Sequence, residues 1–260
     1  MRLLGPVDVV VDGVARPVAG LRRAGVLAAL ALHPGQFLGP DRLIDMVWGD
    51  TAPQGALATL RSHVSYLRRL LGQRAAIAYQ PAGYQLVIGE QDTDVLVAEH
   101  LIHQATTAAD PQQRERLLRD AVALWRGQPL AELAGLAWFS TAARRLDDLQ
   151  RHARELLIDA QLALGEHARL IPELETLSRE HPHHEPTHRQ LILALYRAGR
   201  QGEALKAYQR LRHVLDDDLG ISPSRALREL ETAILRQDPA LNLPTTAAPA
   251  IPAQARPRSA

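Results

Sequence analysis

Thr59, Arg61, Ser62, His63, Tyr66, Arg68 and Arg69 crowd into one short stretch, Pro53 to Gly72, PQGALATLRSHVSYLRRLLG. All of them donate or accept hydrogen bonds, and three carry fixed positive charge. An arginine fork matches a guanine edge or a phosphate, and small hydroxyls approach bases or the sugar-phosphate backbone closely. Leu57, Leu60, Val64, Leu67 and Leu71 recur at steps of three and four, which predicts one amphipathic helix with a thin apolar seam. Pro53 is placed to open that helix and Gly72 to close it. Arg61, Ser62, His63 and Tyr66 are expected to face bases; Thr59, Arg68 and Arg69 are expected to touch phosphate. Taken alone, the same pattern also suits an ordinary surface helix with arginines on its wet side.

The neighbouring residues favour the groove-reading alternative. Ile77 to Ile88, IAYQPAGYQLVI, holds two short β-prone runs around Pro81-Ala82-Gly83, a hairpin signal. Its Tyr79, Gln80 and Tyr84 are candidates for minor-groove or backbone contact. Upstream, Val7–Val11 and Ala15–Val18 flank Asp12-Gly13, a strong hairpin turn. Leu21–Leu32 reads as a first helix, ended by His33-Pro34-Gly35, and Gln36–Leu38 as a possible short strand. DRLIDMVW, with Asp41 as N-cap and Gly49 as stop, reads as a second helix. The order is sheet, helix, helix, helix, hairpin: a winged helix over residues 1–90.

After a polar connector, Glu90–Thr93, residues 94–238 read as helical. Val95–Ala105 and Arg114–Leu124 come first, then a loop, WRGQPLAELAGLAW, then a long helix Phe139–Leu164. Leu157, Ala160 and Leu164-Gly165 align with Leu191, Ala194 and Ala198-Gly199, and Leu170, Leu174 and Leu177 align with Ala204, Tyr208 and Leu211. The offset of about 34 residues between paired helices is the tetratricopeptide period. Such pairs bury their apolar faces only by stacking, and they leave a groove suited to peptides or helices. A last helix is expected from Ser224, behind the break at Ile221-Ser222-Pro223. Residues 239–260, with five prolines and many alanines, are expected to be a disordered tail. The fold class is therefore mainly α with a small β component: a winged helix-turn-helix, then an all-α tetratricopeptide-like repeat domain.

Composition narrows the function. Apolar residues make up 46% and aromatic residues 4%, so cores of Leu, Ala, Val and Ile are expected, which favours helices. Cysteine is absent, which removes disulfides, thiolate metal sites and a cysteine nucleophile. Net charge is +1 overall, but residues 1–90 carry +3 and the remainder −2. No P-loop, HExxH or GxSxG motif occurs, so no enzyme chemistry is expected and no cofactor is implied. His181, His183, His184 and His188 form the one cluster with metal-ligand character, and they are expected as solvated turn residues beside Pro182 and Pro186. Asp216, Asp217 and Asp218 are read as a solvated helix end. No stretch is long and apolar enough for a membrane span and no signal peptide is evident, so a soluble cytoplasmic protein, associated with the nucleoid, is expected.

RLLGPVDV at the start, DRLIDMVWGD, TLRSHVSYLRRLLG and PAGYQL, in that order, resemble the OmpR-like winged helix of the Streptomyces antibiotic regulatory proteins. DAVALWRGQPLAEL, the repeat and LDDDLGISPSRALRELE resemble the bacterial transcriptional activation domain that follows it there. The resemblance covers residues 1 to about 238. It implies a transcriptional activator of a specialised-metabolite gene cluster that binds direct repeats in double-stranded promoter DNA. It further implies a side-by-side homodimer on DNA that recruits RNA polymerase holoenzyme through its sigma factor, with no membrane partner. An acidic turn like Asp216–Asp218 is shared with the family, which suggests a structural or partner-contact role. Two departures stand out. Tyr66 occupies a position that is often basic in the family, and the wing reads Gln-Pro-Ala-Gly-Tyr where Arg-Pro-Pro-Gly-Tyr is common. Both remove charge or stiffness. Weaker non-specific binding and a shallower salt dependence than a fully basic relative are therefore expected, to be read from parallel salt titrations. The same loss of charge motivates the alternative, a helical-repeat adaptor with a degenerate winged helix.

Overall fold

A computed structural model describes residues 1–72, 76–89 and 91–243. These pack as two compact units, Met1–Ala160 and the chain from Gln161 on. In the first, β1 (Asp8–Val11) pairs antiparallel with β2 (Val14–Pro17) across Asp12-Gly13, both at positive φ. Then come α1 (Leu21–Ala31), α2 (Pro40–Trp48), α3 (Ala56–Leu71) and a hairpin of β3 (Ala76–Gln80) and β4 (Gly83–Val87). α2 starts at Pro40 with Gly39 in the cap position, so Asp41 lies inside the first turn, where its charge suits the helix dipole. The short strand expected at 36–38 is a single bridge, Leu38 to Tyr84. The core between these elements is built almost wholly from leucine, valine and alanine, including Leu27, Leu30, Leu43, Leu60, Leu67 and Leu86.

That core does not stop at the wing. The start of α4 (Asp94–Thr107), residues 130–136 and the start of α6 (Ala137–Ala163) continue it through Val95, Ala98, Leu130, Leu133, Leu136 and Phe139, whereas α5 (Pro111–Val122) packs with α4 and α6 in a separate cluster of Ile102, Ala105, Leu118, Ala121, Ala153 and Ala160. Residues 2–8 are clasped by the stretch expected to be a plain loop. Arg126 N–H donates to the Leu4 carbonyl at 2.8 Å, and Leu130 N–H donates to the carbonyls of Leu3 and Gly5. Val7 N–H donates to Glu132 Oε1 at 2.6 Å. Thr93, fully buried, caps α4 by accepting from Leu96 N–H. The buried Asp94 carboxylate accepts from Leu3 N–H at 2.7 Å and Leu4 N–H at 2.9 Å, with the Arg126 guanidinium 3.8 Å away. Arg126 also reaches Asp8, which Arg2 pairs at 2.5 Å. Burial pushes the Asp94 carboxyl up, and its backbone donors and Arg126 oppose that shift.

Removing this carboxylate strands two buried N–H groups and weakens the hold on Arg126. Asp94→Ala is expected to cost about 3 kcal/mol, read as a drop in the urea midpoint with unchanged slope. A change within experimental error would show that the clasp contributes nothing.

In the second unit, α7 (His167–Glu180), α8 (Glu185–Arg197), α9 (Gln201–Leu219) and α10 (Arg225–Leu235) pack in sequence, with α10 against both α8 and α9. The two repeat turns sit at Gly165 and Gly199, both at positive φ, 34 residues apart as expected. Of the aligned positions in this unit, Leu170, Leu174, Leu191, Ala194, Ala204, Tyr208 and Leu211 are buried and form the packing face, while Leu164, Leu177 and Ala198 are half-buried. α9 ends at Gly220, which is left-handed; its N–H donates to the Asp216 carbonyl, and Ile221 N–H donates to the Leu215 carbonyl. Pro239–Leu241 forms a 3-10 turn, and Arg197 donates to the Leu241 carbonyl at 2.7 Å. Within the expected tail, residues 239–243 are therefore in place, and 244–260 lie outside the described residues. No helix among the described residues is long and apolar enough to cross a membrane.

The histidine cluster is not uniformly solvated. His183 lies 2.7 Å from Asp218, and His184 bonds Thr187. His188, in the first turn of α8, is buried, and its Nε2 has no hydrogen-bond partner among the described residues. No group of three or more potential metal ligands comes together among the described residues. Burial lowers the His188 pKa from the ordinary 6.5, and His184 and Arg210 push the same way against the backbone of Pro182 and against Glu185. The unfolded chain then binds this proton at a higher pH than the folded one. His188 therefore leaves stability intact above pH 6.5 and lowers it as pH falls from 6.5 toward the depressed folded value. Urea unfolding at pH 7 and pH 5 should show that loss, and His188→Leu should flatten it.

Candidate nucleic-acid interface

α3 begins at Ala56, three residues later than Pro53. Pro53-Gln54-Gly55 is a turn, with Ala56 N–H donating to the Pro53 carbonyl and Thr59 N–H to Gly55. Gly72 ends the helix at positive φ, as expected. The seam also differs from the expected one. Ala56, Leu60, Val64, Leu67 and Leu71 face inward, and Leu57, expected in the core, is 40% exposed. One residue on a helix turns the side chain by about 100°, so an inward Ala56 puts Leu57 outside.

The outward strip of α3 is Ala58, Arg61, Ser62, Ser65 and Arg69, all exposed. Among the described residues neither Arg61 nor Arg69 has an ion pair or hydrogen bond, so both forks point to solvent with all donors open. Eight residues of helix separate them, about 12 Å along the axis. Ser65 was not among the expected contacts. Its position, four residues after Arg61 and four before Arg69, is the signal that marks it.

The other candidates are held by the protein. Thr59 Oγ1 bonds back to the Gly55 carbonyl at 3.2 Å. Arg68, expected on phosphate, donates from Nε and Nη2 to the Ile77 carbonyl at 2.9 and 2.6 Å, tying β3 to α3. His63 stacks on Trp48, rings 5.8 Å apart and nearly parallel, with its Nδ1 buried and unpartnered among the described residues. Burial and the charge of Arg23 lower its pKa, which favours the neutral ring. Tyr66 packs against the core, and its ring lies 4.4 Å beneath the Arg23 guanidinium. Arg22 donates to Val47 and spans the Trp48 ring. Arginines in the first turn of a helix oppose its dipole. That unfavourable placement in α1 is the sequence signal that Arg22 and Arg23 are held there for another purpose.

In the wing, Tyr79 is 57% exposed and Gln80 is exposed, so both remain at its tip. Tyr84 is only 5% exposed, 5.0 Å from the Tyr79 ring, with its backbone paired to Leu38 in both directions at 2.8 and 2.9 Å. It supports Tyr79 from below and does not present its own edge. Gly83, at φ +131, allows this crossing: a Cβ there would stand 2.0 Å from the Leu38 carbonyl oxygen.

The arrangement joins two exposed arginine forks and two exposed hydroxyls on a helix face, stiffened by stacked aromatics and a hairpin pinned through Arg68. Comparison with known proteins agrees with it. Residues 21–86 match the model of the transcriptional regulatory protein C-terminal domain, and residues 93–235 match that of the bacterial transcriptional activator domain. Transcriptional regulatory protein EmbR of Mycobacterium tuberculosis is 38% identical over 246 residues, 91% of this chain and 63% of its own length. The chain thus spans less than two thirds of that relative. Regulatory protein DnrI of Streptomyces peucetius is 31% identical over 255 residues, covering 93% of this chain and 94% of DnrI. A solved structure of Mycobacterium tuberculosis EmbR, in complex with a low affinity phosphopeptide, superposes with a TM-score of 0.87 at 36% identity, over 92% of this chain and 65% of that one. By the matched domains and these relatives, the chain belongs to the Streptomyces antibiotic regulatory protein family of transcriptional regulators, in which an OmpR-like winged helix precedes a bacterial transcriptional activator domain.

Proposed function

We propose that this chain is a sequence-specific DNA-binding activator that lays α3 in a major groove. The observation that carries the reading is the exposed strip Arg61, Ser62, Ser65, Arg69, whose two arginines have no partner among the described residues. Arg61, near the helix N-terminus, reads a base edge, and Arg69 neutralises phosphate. The exposed Leu57, one turn before Arg61, offers an apolar surface of the kind that meets a thymine methyl. Tyr79 and Gln80 contact the adjacent backbone or minor groove. Family membership extends the proposal to two protomers side by side on direct repeats, to recruitment of RNA polymerase holoenzyme, and to control of a specialised-metabolite gene cluster.

Selection of bound duplexes from a random DNA pool at near-physiological salt tests this. Enrichment of a direct repeat spaced by about one helical turn, 10–10.5 base pairs, supports tandem binding. A single enriched half-site supports DNA reading and overturns the tandem arrangement. No enrichment by folded protein overturns DNA reading in favour of a protein-binding adaptor.

A further inference from the structure

In the first unit, the C-terminal end of α1, the start of α4 and the start of α6 line a partly open cavity of about 270 Å³. Leu32, Val95, Ala142 and Leu146 supply apolar walls. Trp138 supplies a flat one, with the His33 ring tilted against it at 5.7 Å. Two further features give the cavity a chemical preference. His33 Nδ1 lies 2.8 Å from the Ala29 carbonyl, which can only accept, so Nδ1 carries the proton. When the ring is neutral, Nε2 is then an acceptor, and it has no hydrogen-bond partner among the described residues. At the lip, Glu99 and Arg145 pair at 3.3 Å and cancel each other's charge.

We propose that this cavity is a binding site for a neutral, flat aromatic molecule of about two fused rings that carries a hydroxyl or N–H donor. An engineered apolar cavity of about 150 Å³ admits benzene, so the larger volume here suits a bicyclic ring. The indole face of Trp138 favours a planar guest over an aliphatic one. The open acceptor on His33 favours a donor on that guest, and the cancelled lip charges favour neutrality.

2-Naphthol is a suitable probe, added to the full chain and followed by calorimetry and saturation-transfer NMR. Saturable one-to-one binding with a dissociation constant on the order of 100 µM is expected, given the affinity attainable per atom for a small ligand. Naphthalene, without the donor, and 2-naphthoate, with a charge, should each bind roughly tenfold more weakly. Ala142→Leu, which fills the cavity, should abolish binding while leaving the circular dichroism melt in place. Absence of saturation up to the probe's solubility overturns the proposal. So does equal binding of all three probes, or undiminished binding by a folded A142L variant.

Discussion

Replacing Arg61 and Arg69 together with alanine should lower affinity for a selected duplex by about 2–4 kcal/mol, roughly 30- to 700-fold. The effect should be large because neither side chain has a competing partner among the described residues, so neither is diverted from DNA. The two single variants should differ in kind. Arg61→Ala should relax preference at one base pair. Arg69→Ala should weaken all sequences nearly equally and flatten the log–log salt dependence by about one unit. Both residues are exposed, so thermal stability should not move. Arg68→Ala, drawn from the same helix, should do the opposite: it should loosen β3 and lower stability, because its guanidinium is already committed to the Ile77 carbonyl. Fluorescence anisotropy titrations at several salt concentrations, with melts alongside, check all four proteins. Undiminished affinity in the double variant would show that α3 does not read DNA.

The second large effect is expected at Gly83→Ala. A methyl group there would stand 2.0 Å from a backbone oxygen, and the flexible end of a side chain is not what blocks it. The residue also holds φ +131, a region that side-chain-bearing residues rarely adopt. The only escape is to part the wing from Leu38, which loses both backbone bonds between Leu38 and Tyr84 and uncovers a buried tyrosine ring. A loss of about 4 kcal/mol follows. Amide exchange should show Leu38 and Tyr84 losing protection before the rest of the core, and DNA affinity should fall with the displaced wing. Gly135→Ala is the matched control, since a methyl group there meets nothing within 4 Å. Similar unfolding midpoints for the two variants would remove the steric argument.

Much of the architecture was legible because it is local. Leucines at helical spacing, Asp12-Gly13 between β-prone runs, glycines behind apolar stripes and a 34-residue echo each report on a few residues and their neighbours. These signals placed all three helices of the winged helix, its hairpin and the repeat turns at Gly165 and Gly199. The late start of α3 was less legible, because Pro53 and Ala56 both satisfy helix-start chemistry. Only the turn that Pro53-Gln54-Gly55 makes decides between them, and Leu57, at the edge of the apolar seam, is surface because Ala56 takes the inward place.

By itself, then, the sequence determined the order of elements, the family and the face of α3 rich in arginine and hydroxyls. Tertiary structure alone decided which of those polar residues are open. Arg61 and Arg68 are the same residue type seven positions apart on one helix, and nothing local distinguishes them. The Ile77 carbonyl, brought beside Arg68 by the hairpin, commits one fork and leaves the other free. Trp48 does the same to His63, Arg23 to Tyr66, and Leu38 to Tyr84. The clasp of residues 2–8 by Asp94, Arg126 and Glu132 was likewise invisible, since its partners lie some 90 to 130 residues apart. Periodicity reports which side of a helix is wet, but which side chains are already partnered depends on groups distant in the chain, and only folding brings those together.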